Sequence, residues 1–397
     1  MFSRIKDFVY RHRRKFFIGT AVVGGIALLS RYAEHKLLAW HDTQTRMLLQ
    51  KQKKKQHYEN TERTANTTVM SLAGSLKELV TKDLDSEALL LAIREQPQHK
   101  HSIWQQLKVI GFSRAISVVY VSSLVASAVR VQLMLLGGYT FGDLVFEGHA
   151  GMPISQGLQQ KYLAMVHFLI EEGVPKLTQH VTRAVTKIVS GLPLTQQLTL
   201  SQLEALFQEI RLLLAGEGNS HNEFPESKSC KLENWTNYVL EVPLPPESDS
   251  SESRILYNML IETCDILGSE DFQTVMDSLI QHGFNHLLDR MADFYPLNKP
   301  QQSSSNSTYN WVNNINREEP LSVAGDNSSA MKSHPPQGAF LSNHTLPVAK
   351  LVPVLSGVVH GALSPAPGQL LQKILMEEKL ETLGFNVYDA FAVPLSK

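Results

Sequence analysis

His282, His286 and Asp289 stand at i, i+4 and i+7, a spacing that could turn three metal ligands to one side of a helix. Gly283 weakens that helix, and histidines so placed are commonly surface or capping groups, so no metal site is expected. Other signatures of chemistry are missing from the chain. It holds no G-x-S-x-G nucleophile elbow, no P-loop, no H-E-x-x-H pair and no Rossmann glycines opening a helix. Gly216-Glu217-Gly218 falls in a polar loop after a helix, the wrong context for a dinucleotide. Cys230 and Cys264, the only cysteines, are too few for a disulfide framework and fit a reducing compartment, although one bridge between them stays open. The expectation is a protein that binds rather than catalyses and carries no cofactor.

One constellation suits binding. If the helix after Pro97 is regular, Lys100, Trp104, Leu107 and Lys108 lie at i, i+4, i+7 and i+8 on one face, with Ile103 and Ile110 turned toward a core. A half-exposed tryptophan between two lysines can receive an apolar side chain and pair with acidic neighbours, which is what a groove for an amphipathic partner helix requires. The same residues would also serve as an ordinary patch of core.

These residues need elements to hold them, and the first is N-terminal. Phe16 to Leu29 is a run of fourteen residues without a charge, with Phe16, Phe17, Ile18, Val22, Val23, Ile26, Leu28 and Leu29 as its large apolar members. Arg4, Lys6, Arg11, Arg13, Arg14 and Lys15 precede it. A basic flank before a short apolar run fits a signal peptide or a short anchor. The run continues into Ser30, Arg31 and Tyr32 without the small residues of a cleavage site, so an uncleaved anchor is expected, with residues 1–15 as a basic tail, 16–30 as the span and 31–397 as the body. Basic residues before and after the span nearly balance, so charge casts no vote on orientation.

Beyond the anchor the pattern is helical almost throughout, which predicts an all-α fold, an elongated bundle of long helices. Residues 31 to about 80 form one long helix or two consecutive ones, with Val69, Leu72, Leu76 and Leu79 among the spaced apolar positions. Asp85 or Ser86 could cap a helix running through Arg94, and Pro97 suits the first turn of the next. Ala115 to Leu136 is apolar and long enough to span a bilayer, but Arg130 and Gln132 interrupt it and four serines thin it. An arginine in mid-span costs roughly 2.5–3.5 kcal/mol on insertion scales, so this stretch is read as the central buried helix of a soluble bundle. Farther on, Ser201 with Glu204 reads as a capping box. Loops are expected near 216–253 and a disordered insertion near 298–345, the first partly ordered around Trp235, Tyr238 and Leu240. Leu346 to Val359 is apolar and broken by Pro347 and Pro353, a final helix runs near Gly368 to Phe391, and no alternating strand pattern is seen.

With a formal net charge of −1 no overall field recruits nucleic acid. The run Lys51, Lys53, Lys54, Lys55 reads as a solvated helix face, with anionic headgroups as the sharper alternative, and lacks the aromatics that stack on bases. Sequons at Asn66, Asn234, Asn306, Asn327 and Asn343 would carry glycans only if the body faced the secretory lumen. A secretory single-span glycoprotein, or a helical scaffold without a specific receptor, is therefore the competing reading.

Several longer stretches carry a resemblance. HKHSIWQQLKVIGFSRAISVVY followed by VRVQLMLLGGY, YENTERTANTTV at 58–69, GFNHLLDRMADFY at 283–295, LPVAKLVPVLSG and NVYDAFAVP at 386–394 together resemble the peroxin-3 family, in order and over nearly the whole chain. The resemblance implies a protein held in the peroxisomal membrane by its N-terminal segment, the helical body in the cytosol, with passage through the endoplasmic reticulum left open. It implies a groove for the N-terminal amphipathic helix of peroxin-19, the soluble receptor for peroxisomal membrane proteins. That groove would centre on Trp104, bordered by Lys100, Leu107 and Lys108, with Ile93 near its edge where the family often has leucine. It also implies a buried Ala115–Leu136 helix and unglycosylated sequons.

Overall fold

The computed structural model describes residues 13–95, 97–145, 154–216, 232, 234–241, 243–245, 250–295, 344–364 and 369–392, and only the backbone of 13–35, 38, 39, 97 and 143–145. The expected basic tail, Cys230, most of both expected loops and three of the sequons lie outside these residues.

The stretch that could have been one helix or two is one. Helix α1 (Arg13–Asp83) runs for 71 residues and includes the backbone of the apolar 16–30 stretch. Between Lys36 and Gln56 its described side chains are almost all exposed, and Tyr58 is the first buried one. From there Ala65, Val69, Ala73, Leu76 and Val80 go under at spacings of three and four, the stripe of a helix laid on a core. Asp85 accepts from the Ala88 N–H at 3.0 Å and so caps α2 (Ser86–Glu95). A 3-10 turn at Pro97–His99 leads into α3 (Lys100–Val145).

Helix α3 organises the molecule. At 46 residues it is about 70 Å long, and every residue from Gly111 to Val131 is buried. It is apolar all round because it has neighbours all round: α1, α2, and the later helices α6 (Val174–Val189), α10 (Glu270–Ala292), α11 (Val348–Ala362), α12 (Leu370–Leu375) and α13 (Glu378–Phe391) all pack on it. By length and apolarity Lys100–Gly142 could cross a membrane, yet 89% of its most apolar window is buried in protein, as expected for a central helix. Several of its buried polar residues have partners inside the fold, whereas the hydroxyls of Ser113, Ser117 and Ser122 have none among the described residues. Arg130 donates to Glu62 and Asn66, each at 2.6 Å, and Gln132 donates to the Tyr162 carbonyl at 2.8 Å. Ser123 and Ser127 return their hydroxyls to carbonyls of the preceding turn.

The rest wraps this axis. After α4 (Gln156–Leu163) and α5 (Met165–Phe168) comes a π-turn at Leu169–Gly173. At Gly173 a Cβ would fall 1.8 Å from the Tyr238 carbonyl oxygen, so only glycine lets that backbone pass. Helix α7 (Leu200–Ala215) starts at a capping box made by Thr199 and Gln202, two residues before the Ser201–Glu204 pair that the sequence offers. The shift has a cause. Gln197–Thr199 forms strand β1, antiparallel to β2 (Thr345–Pro347), and the helix starts where the pairing stops. This short pair, invisible as alternation, clips the start of α11 to the loop after α6, with Val348 and Ala349 donating to the Gln196 and Leu194 carbonyls. In the first loop, Trp235, Tyr238 and Leu240 are buried around α8 (Thr236–Val239), as expected.

Helices α9 (Ser251–Leu267) and α10 follow, and α10 continues through Gly283 instead of breaking there. A Cβ at Gly283 would sit 2.5 Å from Val119 Cγ1, so this glycine is where α10 presses against α3. Pro353 is carried inside α11, on its exposed side. The expected final helix is two, α12 and α13, divided by a turn at Met376.

Candidate docking cleft

The cleft beside Trp104 is built by three helices. α2 supplies Leu90 and Glu87, α3 supplies Trp104 and Leu107, and α11 supplies Pro353, Gly357 and His360 around a space of about 210 Å³. Trp104 is half-buried and packs on the core from its edge. Leu107 beneath it is buried, whereas Leu90 and Leu91 on α2 are 48% and 58% exposed. Together they give a ring and two leucines standing open to solvent on adjoining helices.

What sets α2 against α3 is Arg114. Fully buried, it donates from Nε to the Leu84 carbonyl at 2.6 Å, from Nη1 to Ser86 Oγ at 2.7 Å, and from Nη2 to the Thr81 carbonyl at 3.2 Å. Its two terminal nitrogens also grip the Glu87 carboxylate at 3.2 and 2.7 Å. One guanidinium thus holds the end of α1, the cap region of α2 and the floor of the cleft. This bond to Arg114, reinforced by the nearby positive charge, takes Glu87 down to about 2 although burial opposes it. Burial, with Lys77 and Arg114 nearby, lowers His360, so the imidazole beside the cleft is neutral at physiological pH.

Of the residues singled out in the sequence, Trp104 and Leu107 line the cleft. Lys100 is exposed at the first turn of α3, one turn before Trp104. Ile93 is half-buried against the core at the far end of α2. Lys108 departs from expectation: it does not border the cleft but is wholly buried, donating to the Ser190 and Leu192 carbonyls at 3.2 and 2.5 Å. The reason is the edge of the stripe. Lys108 lies on the side of α3 that meets the C-terminal end of α6, where carbonyls left without helical donors attract a cation. Its desolvation there lowers the ammonium pKa. Ile103 is buried and Ile110 packs half-buried against the core, so both turn toward it as expected.

Sequence reasoning missed Leu90, the exposed Leu91 next to it and the α11 wall, of which Leu90 and the wall line the cleft. Glu87, Leu90, Leu91 and Arg94 do fall on one face of α2 by helical spacing, so the leucines were findable. Nothing local says that residues near 353–360 close the third side. The histidines that opened the search for chemistry are engaged elsewhere. His282 pairs with Glu377, and His286 accepts from Lys373 at 2.9 Å. No group of three or more His, Cys, Asp or Glu side chains gathers for a metal among the described residues.

Fold and cleft together define an all-α bundle threaded on one buried helix. The Peroxin-3 family model matches residues 7–101 and 149–390. "Peroxisomal biogenesis factor 3" of Mus musculus is 30% identical over 402 residues, and that of Rattus norvegicus 31% over the same length, each covering 99% of both chains. "Peroxisome biogenesis protein 3-1" of Arabidopsis thaliana is 24% identical over 67% of this chain and 77% of its own. The chain therefore belongs to the peroxin-3 family, and its role is in peroxisome biogenesis.

Proposed function

We propose that the Trp104 cleft is the docking site for the N-terminal amphipathic helix of peroxin-19, and that the chain receives that carrier at the peroxisomal membrane. In this reading Phe16 to Leu29 anchors the chain in the lipid and the helical body stands in the cytosol. The observation that carries it is the setting of one ring: Trp104 is neither core nor free surface but the wall of a cleft with exposed Leu90 beside it. An apolar helix face laid there would cover the indole and Leu90 at once, and central aromatic contacts of this kind dominate helix-in-groove binding. Lys100, one turn away and exposed, is placed to meet an acidic residue on the visitor's rim. The carrier would arrive loaded, fold its helix into the cleft, and release its cargo beside the membrane, where the cargo inserts.

Capture of the full chain on the immobilised peroxin-19 N-terminal helix tests this. Retention of the wild type and loss on Trp104→Ala is the expected result. Equal retention of both would overturn the assignment. The secretory-glycoprotein reading is disfavoured by the family, whose relatives carry the name of peroxisomal biogenesis factors. A native protein whose mass falls on endoglycosidase treatment would revive it.

A further inference from the structure

A second hollow, larger than the Trp104 cleft, adjoins it at α11, with Pro353 and Gly357 shared between the two. It is a half-open hollow of about 720 Å³ between α3, α10, α11 and the start of α12. Ala115 and Val119 line it from α3, Leu287 and Phe294 from α10 and just beyond it, and Val354 and Val358 from α11. Space is kept by small residues: a Cβ on Gly357 would meet nothing within 4 Å. The polar groups around it are of one kind. Arg290, Lys350, Gln369 and His286 reach it, and no carboxylate stands among its described lining residues. Arg290 and Lys350 are exposed and make no ion pair among the described residues, and a third cation, Lys373, sits 2.9 Å from His286. Burial, together with Lys373 and Arg290, lowers His286, which stays neutral and accepts at Nδ1 from Lys373.

An apolar interior of this size with a few convergent polar groups is the usual form of a small-ligand site, for which volumes of about 300–1,000 Å³ are typical. The cations fix the sign of the ligand's polar end. The walls come from four elements and not from one open face, which suits a slender chain better than a visiting helix about 10–12 Å across. We propose that this pocket binds a single-chain anionic amphiphile, a long-chain fatty acid, with its carboxylate between Arg290 and Lys350 and its tail between Val119, Val354 and Val358. The proposal does not rest on peptide docking at Trp104.

The test uses the full chain in phosphatidylcholine nanodiscs, free of detergent, with a photoactivatable palmitic acid analogue and its uncharged alcohol counterpart as probes. Crosslinks from the acid should map to α11 and to the neighbourhood of Phe294. Val358→Trp, which fills the pocket, should cut that labelling at least about five-fold. The exposed double variant Arg290→Ala, Lys350→Ala cannot fail by unfolding a core. It should cut labelling by the acid about ten-fold, as expected for loss of charge-assisted contacts, and leave labelling by the alcohol unchanged. Trp104→Ala should leave both untouched, which separates this site from the docking cleft. Label confined to residues 16–29, or undiminished in Val358→Trp, would overturn the pocket. Equal loss of both probes in the double variant would overturn the anionic ligand.

Discussion

Arg114 and Glu87 meet through two hydrogen bonds, 2.7 and 3.2 Å long, between a buried guanidinium on α3 and a carboxylate that keeps 61% of its side chain in solvent. The pair pins the first turn of α2 where the cleft needs it. Because Glu87 is so exposed, its charge is screened and its share of stability is modest, but its sign is definite. Its folded pKa of about 2 lies below the ordinary 4.5, so its stabilisation is complete above 4.5 and fades as pH falls from there toward about 2, where the unfolded chain binds the proton first. Glu87→Gln should narrow the difference in thermal midpoint between neutral pH and pH near 3, and leave the other acid-dependent losses in place. An identical pH profile for wild type and variant would remove this role for Glu87.

Lys108 makes the opposite kind of contact, inside the fold. Lys108→Ala leaves the Ser190 and Leu192 carbonyls without their donor, which should lower unfolding free energy by about 1–3 kcal/mol. Denaturant titration of the helical circular dichroism checks this. Any effect of the variant on docking should track the unfolded fraction, because the ammonium does not border the cleft.

At Gly283 the usual rule for glycine in a helix is reversed. Alanine normally gains about 0.5–1 kcal/mol over glycine in a helix interior. Here its Cβ would press to 2.5 Å from Cγ1 of Val119, a stiff β-branched side chain, and overpacking of this kind typically costs about 1–3 kcal/mol. Gly283→Ala should therefore lower the thermal midpoint, and Val119→Ala in the same chain should recover part of the loss. A more stable single variant would mean that α10 can move away freely.

How far the sequence could be read follows from where each answer is encoded. The all-round apolarity of Ala115–Leu136 with Arg130 inside it speaks locally of a buried helix that has polar partners, and the helix is as expected. Which partners serve Arg130 is not local, since Glu62 and Asn66 lie on α1 and only the folded packing pairs them. Lys108 shows the same limit with a different result. Its helical register beside Trp104 is right, but the ends of other helices decide whether a register position faces solvent, and here it faces the end of α6. The two possible boxes before α7 satisfy the same capping chemistry, and the choice of Thr199 over Ser201 was made by a strand partner at Thr345–Pro347. The cleft was half legible for this reason: Trp104 and Leu107 come from one helix, whereas Leu90 and the α11 wall come from elsewhere.

Leu90 offers a variant with little structural risk. It is 48% exposed and lines the cleft, so Leu90→Asp should leave the unfolding free energy within about 0.5 kcal/mol of wild type while weakening capture by the peroxin-19 helix at least about ten-fold. Unchanged capture would place the visitor elsewhere on the surface.

Docking in the cleft turns on Trp104, and calorimetric titration of the full chain with the peroxin-19 N-terminal helix measures its share most directly. Trp104→Ala, verified as folded by circular dichroism, should lose about 2 kcal/mol or more of binding free energy, roughly thirty-fold in Kd. Wild-type affinity in that folded variant would contradict the assignment of the cleft.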